Sequence, residues 1–153
     1  MQGNIANAYQ LVGRLDEALR LRRDTYTGYL KLFGEEHAIT LLAANNYLAS
    51  QVGLKHYREA KKLLRTLLPV ARRVLGENDD LTFKMRRMYA MTLYCDPAAT
   101  LDDVHEAVTT LEDAERIARR VFGGAHPLTV GIETDARRAS GAPRARNAAG
   151  VTV

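Results

Sequence analysis

One unit is written three times in this chain, and that repetition constrains its fold more than any other feature. A Glu-Ala step leads through a helical stripe to a glycine at Glu17-Ala18 to Gly34, at Glu59-Ala60 to Gly76, and at Glu106-Ala107 to Gly123, over the same number of residues each time. The middle copy is the clearest. Its apolar residues Tyr57, Ala60, Leu63, Leu64, Leu67, Ala71, Val74 and Leu75 recur in steps of three and four, which trace one face of an α-helix. Gly76 then accepts the left-handed backbone of a helix C-cap. Such a unit cannot bury its apolar face alone, so neighbouring copies must stack.

Taken in order, residues 4–12 read as a short helix ended by Gly13, and Arg14-Leu15-Asp16-Glu17-Ala18 opens a long helix to Phe33. After His37-Ala38-Ile39-Thr40 a helix runs through Val52, then comes the organising helix, in which Pro69 is expected to produce a kink because it removes a backbone donor. The loop Gly76-Glu77-Asn78-Asp79 leads into a helix to about Tyr94. Thr100, with Asp103 three residues on, marks the next helix start. Glu112 with Arg116, and Glu115 with Arg119, are spaced as exposed pairs on that helix. A last helix from about Pro127 is expected to end at Ala139, and residues 140–153 read as a disordered basic tail.

Composition closes several function classes. The net charge of +4 belongs to the C-terminal arginines Arg137, Arg138, Arg144 and Arg146; the remaining 18 basic residues balance all 18 acids. A nucleic-acid binder more often carries its charge on a folded face, so nucleic acid is disfavoured as a partner. The single Cys95 cannot form an internal disulfide, and a reducing, cytoplasmic address is the expectation. No leader of basic and apolar residues and no membrane-spanning apolar run is visible.

Chemistry-bearing residues give no catalytic pattern. His105-Glu106 fails as a zinc-protease helix because position 109 is Thr. His37 and His126 recur at one loop position, which is the behaviour of structural residues. Cys95 has no neighbouring His and reads as a structural thiol. Tyr9, Tyr26, Tyr29, Tyr57 and Tyr89 fall mostly at packing positions. The expectation is a protein that is not an enzyme and takes no cofactor or metal.

The loop G-x-x-H/D-x-x-T, the Glu-Ala step and the run Asn-Ile-Ala-Asn-Ala-Tyr-Gln-Leu-Val-Gly-Arg-Leu-Asp-Glu-Ala at residues 4–18 together resemble the tetratricopeptide-repeat superfamily. The 42-residue spacing from Gly34 to Gly76 is similar to that of its kinesin-light-chain-like branch. Three departures stand out: no G-x-x-H opens the first unit, Asn45-Asn46-Tyr47-Leu48-Ala49 varies the pattern in the second, and Arg87-Met88 replaces its asparagines in the third. The resemblance implies an all-α solenoid of antiparallel helix pairs in a right-handed superhelix. Its units would be residues 1–33, 34–75 and 76–122, with a terminal helix at 126–139 and the repeat domain spanning 1–139.

It further implies a protein-interaction scaffold whose first helices line a concave face. On that face would stand Asn4, Asn7 and Gln10, then Asn45 and Asn46, then Lys84, Arg87 and Met91. Carboxamides can donate to and accept from a peptide backbone, and Lys84 and Arg87 would favour an acidic peptide or protein. The alternative is a structural repeat fragment of a larger assembly, self-associating through its N-terminal end and carrying no peptide site of its own.

Overall fold

A left-handed glycine closes each long helix and turns the chain back on itself. Gly34, Gly76 and Gly123 have φ of 82°, 96° and 89°, and each donates its N–H to the carbonyl four residues before it, on Leu30, Arg72 and Arg119. Three residues after each glycine a side chain caps the next helix. Nδ1 of His37 accepts from Ile39 N at 3.2 Å, Oδ1 of Asp79 from Leu81 N at 2.8 Å, and Nδ1 of His126 from Leu128 N at 3.2 Å. Three residues further on, Thr40, Thr82 and Thr129 are all buried. The repeated loop is therefore a stop signal, a cap and a buried anchor.

The computed structural model describes Asn7, Leu11 and residues 13–149, with side chains to Ala142. Six helices have bounds among the described residues: α1 (Leu15–Phe33), α2 (Ala38–Gly53), α3 (Tyr57–Leu75), α4 (Asp80–Tyr94), α5 (Leu101–Phe122) and α6 (Pro127–Ala149). No strand occurs among the described residues. Asn7 and Leu11 are helical and Gly13 has φ of 79°; the rest of the short helix expected at 4–12 lies outside the described residues. Thr100 and Asp103 form the anticipated reciprocal cap, Thr100 Oγ1 accepting from Asp103 N at 3.1 Å while Asp103 Oδ2 accepts from Thr100 N at 2.9 Å.

Each helix packs on the next in sequence, but contacts between alternate helices are unequal. α2 touches α4 and α4 touches α6, whereas α1 and α3, and likewise α3 and α5, do not meet backbone to backbone. The even helices thus form a close inner row and the odd helices a splayed outer row, as in an all-α helical-repeat solenoid. One continuous core runs between the rows, built on Leu41, Leu48, Leu64, Leu67, Phe83, Met85, Leu93, Leu111 and Ile132.

Two details differ from the sequence reading, and a third concerns Pro69. α3 is continuous through Pro69, which sits exposed on the helix surface, so the proline does not end the helix. Glu115 does pair with Arg119 at 2.8 Å, but Arg116 takes Asp113 at 3.2 Å instead of Glu112. α6 continues ten residues beyond Ala139 to Ala149, so the described part of the segment expected to be unstructured is helical, and residues 150–153 lie outside the described residues. The cause is visible at its start. Ala139 is wholly buried and Ala142 half-buried against the core, and Ala and Arg are strong helix formers.

Ala18, Ala60 and Ala107, the repeated small residues of the outer helices, are all buried. Their missing bulk lets outer and inner helices approach. Replacing Ala60 with Leu is expected to overpack this contact and cost about 1–3 kcal/mol in a denaturation experiment; an unchanged midpoint would place the repeat register elsewhere.

Candidate functional site

The repeated polar residues of the loops are used locally. His37 and His126 give their ring nitrogens to helix caps, and their imidazoles stack on Phe33 and Phe122 with centroids 4.8 Å apart in both loops. Cys95, at the C-terminal cap of α4, is half-buried. Burial pushes its thiol above the ordinary range, which keeps little thiolate at neutral pH and lowers its nucleophilicity. Among the described residues no group of three His, Cys, Asp or Glu side chains is placed to hold a metal ion.

The inner row presents a different surface. On α2 the residues Ile39, Leu42, Asn46 and Ala49 follow one another in steps of three and four and are all exposed, Ile39 by 44% and Leu42 by 52%. On α4 the same register carries Leu81, Lys84, Met88 and Met91, and on α6 Leu128, Gly131, Asp135 and Arg138. The stripes lie side by side because the inner helices touch. Ile39 and Leu42 were not singled out in the sequence, since an apolar residue near a helix start reads first as core. Only the inner-row packing leaves them in solvent.

The structure distributes the eight anticipated residues unequally. Asn4 and Gln10 lie outside the described residues. Asn7 is exposed, and its Oδ1 accepts from Arg22 Nη2 at 2.6 Å. The same guanidinium donates to Ser50 Oγ at 2.7 Å and to the Asn46 carbonyl at 3.4 Å, tying Asn7 to α2 through α1. Asn46 keeps its carboxamide exposed, while Asn45 is half-buried with its Oδ1 enclosed and without a hydrogen-bond partner. Lys84 is exposed and rests on Asp80, one turn back, at 2.7 Å. Met91 is half-buried and packs on the core.

Arg87 is placed differently from the expectation of a freely presented cation off the packing surface. Its Nε donates to Oδ2 of Asp135 on α6, a carboxylate only 1% exposed. Gly131 makes this possible, because a Cβ there would lie 2.6 Å from Arg87 Nη1. The guanidinium therefore crosses bare α6 backbone to reach Asp135, whose other oxygen has Arg138 at 3.9 Å. Arg87 acts as a clamp between two inner helices. Elsewhere on α4, Arg86 is buried over the Phe83 ring at 5.9 Å, and loss of hydration lowers its pKa.

Comparison with known proteins agrees with this architecture. Residues 1–73 match the family described as tetratricopeptide repeat. No curated protein matches. Among solved structures, a kinesin light chain-type protein of Podosopora anserina with nearly identical TPR-like repeats superposes with a TM-score of 0.81 at 21% identity, over 93% of this chain and 65% of that one. This chain thus spans slightly under two thirds of that protein's length. A single-substitution form of the Podosopora anserina protein gives a TM-score of 0.56 at 19% identity, over 97% of this chain and 88% of its own. At these identities the likeness establishes the fold.

Because Asp135 is enclosed, removing its cation strands a buried charge. Arg87→Glu is expected to destabilise the protein by on the order of 3 kcal/mol, whereas Lys84→Glu, at an exposed site, should leave the melting midpoint nearly unchanged. Equal midpoints for both variants in thermal melts monitored by circular dichroism would show that the Arg87–Asp135 clamp carries little of the stability.

Proposed function

We propose that the chain is a tetratricopeptide-repeat protein, a reading supported by the match over residues 1–73, and that it is a non-catalytic interaction module taking a peptide or partner protein along its inner row of helices. Tetratricopeptide repeats in general mediate protein–protein interaction, and their stacked helices form extended binding surfaces. The observation that carries the reading is the stripe Ile39, Leu42, Asn46, with Asn45 beside it. Exposed apolar side chains border two carboxamides, and the enclosed Asn45 Oδ1 has no partner of its own. Apolar contact with Ile39 and Leu42, and hydrogen bonds between a peptide backbone and the exposed Asn46 carboxamide, would use this surface. Lys84, on the neighbouring stripe, supports an acidic ligand. Arg87 serves this surface indirectly, by holding α4 and α6 together through Asp135.

The test is an affinity capture followed by titration of the recovered peptide. Leu42→Asp and Lys84→Glu should retain full helicity and weaken binding severalfold, and the Lys84 effect should fade with salt, since screening sets in beyond ~8 Å at physiological ionic strength. Undiminished affinity in both variants would move the site off the inner row.

A second reading rests on one further observation. Leu11 is 88% exposed and Leu15 38%, an apolar pair at the N-terminal end of the described fold. Such surface supports self-association or docking on another chain. Sedimentation of wild type and Leu11→Lys should then differ in mass distribution at high concentration; a monomer at all concentrations in both would dismiss it.

A further inference from the structure

The outer row carries two grooves, and they are built alike but finished differently. Between α3 and α5, over α4, Arg65 Nε donates to the Tyr89 hydroxyl at 3.4 Å and that hydroxyl donates to Glu106 Oε1 at 2.6 Å. This chain of bonds stitches three helices together, and Tyr89 is buried. Between α1 and α3, over α2, the residues at the same offsets from the loop glycines are Arg23, Tyr47 and Glu59. They are not stitched. They line an open groove of about 460 Å³.

Several lining positions differ between the repeats, and one of them touches the tyrosine hydroxyl directly. The second groove has Leu93 where the first has Gln51. Gln51 Nε2 donates to the Tyr47 hydroxyl at 3.1 Å, one turn along α2, and so engages the group that would otherwise bridge Arg23 and Glu59. Arg23 instead lies 3.7 Å from its exposed neighbour Asp24, and Glu59 has no ion pair or hydrogen bond among the described residues. Two polar groups are therefore left unspent here, the Tyr47 hydroxyl proton and an Oε1 of Gln51 enclosed beneath the groove. Gln51 is only 6% exposed, yet its Oε1 has no hydrogen-bond partner. The Tyr47 hydroxyl has accepted one bond and retains its proton to donate.

An acceptor and a donor side by side are the complement of an amide group. Above them stands an aromatic wall, with Tyr26 stacked on Tyr47 at a centroid distance of 6.1 Å. The rim carries the cations Arg23 and Lys62, with Glu59 also in the lining and the exposed Asp24 beside Arg23. We propose that the groove between α1 and α3 is a second docking site, on the opposite face from the inner row, for an acidic peptide segment of a partner protein. One amide of that segment takes a hydrogen bond from Tyr47 and, as the Gln51 carboxamide turns outward, gives one to Oε1. Its acidic side chain lies between Arg23 and Lys62. The site rests on the reading of the chain as a peptide-binding module, but uses none of the inner-row residues.

The experiment uses a random dodecapeptide library displayed on phage, panned on the full chain, with enriched peptides synthesised and titrated by calorimetry. Wild type is compared with Gln51→Leu, Tyr47→Phe and the inner-row variant Leu42→Asp. Leu93 already occupies the matching position of the next repeat, so Gln51→Leu is compatible with the fold, and Tyr47→Phe removes only a hydroxyl. Acidic peptides should be enriched whose affinity falls about tenfold for Gln51→Leu and for Tyr47→Phe while Leu42→Asp binds as wild type. Peptides lost by Leu42→Asp alone would uphold the inner row and overturn the outer groove. Failure to enrich any acidic peptide, or equal binding by all three variants, would also overturn it.

Discussion

Everything in this structure depends on a backbone that turns left-handed at three glycines. With φ near 90°, Gly34, Gly76 and Gly123 end α1, α3 and α5 and reverse the chain within a few residues. A side-chained residue would be strained there. The cap three residues on then starts the next helix before a longer loop can form, and the buried threonine after it pins that helix to its neighbour. The reversal is the same each time, so helix pairs repeat with one geometry, and a solenoid is the consequence.

Because the pairs repeat, an asymmetry within one pair becomes a property of the whole. The inner helices α2, α4 and α6 touch; the outer helices α1, α3 and α5 are held apart. The close row yields a continuous surface onto which Ile39, Leu42, Asn46 and Lys84 project together. The splayed row yields grooves. Buried alanines at the outer-to-inner contacts keep the two rows near enough to share a core.

Polar groups within this apolar frame mark where the repeats part from one another. The Arg87–Asp135 clamp joins two inner helices across the bare backbone of Gly131. Arg86 lies over an aromatic ring with little hydration. Gln51 holds Tyr47 where the following repeat has Leu93 and a stitched groove. Each costs desolvation that packing must offset. Such positions are natural places to look for interactions beyond the fold.

The helices α1 to α5 and their ends, and the start of α6, were legible in the sequence because they follow from local rules. Apolar spacing near the helical period, glycine at the stops, and Thr100 with Asp103 at a start all act over a few residues. The repeat told that the helices stack, and the loop histidines read correctly as structural. The candidate site was only half legible. Asn46 and Lys84 are exposed as the pattern implies, but Arg87 finds its partner 48 residues away on another helix, and nothing local announces that Asp135 is enclosed. Ile39 and Leu42 look like core until the inner row turns their face outward. α6 outruns its apolar stripe because a buried Ala139 anchors it. Sequence alone determined what each helix is, since hydrogen bonding within a helix is local. Tertiary structure decided what each helix shows to solvent, since burial and charge pairing depend on elements far apart along the chain.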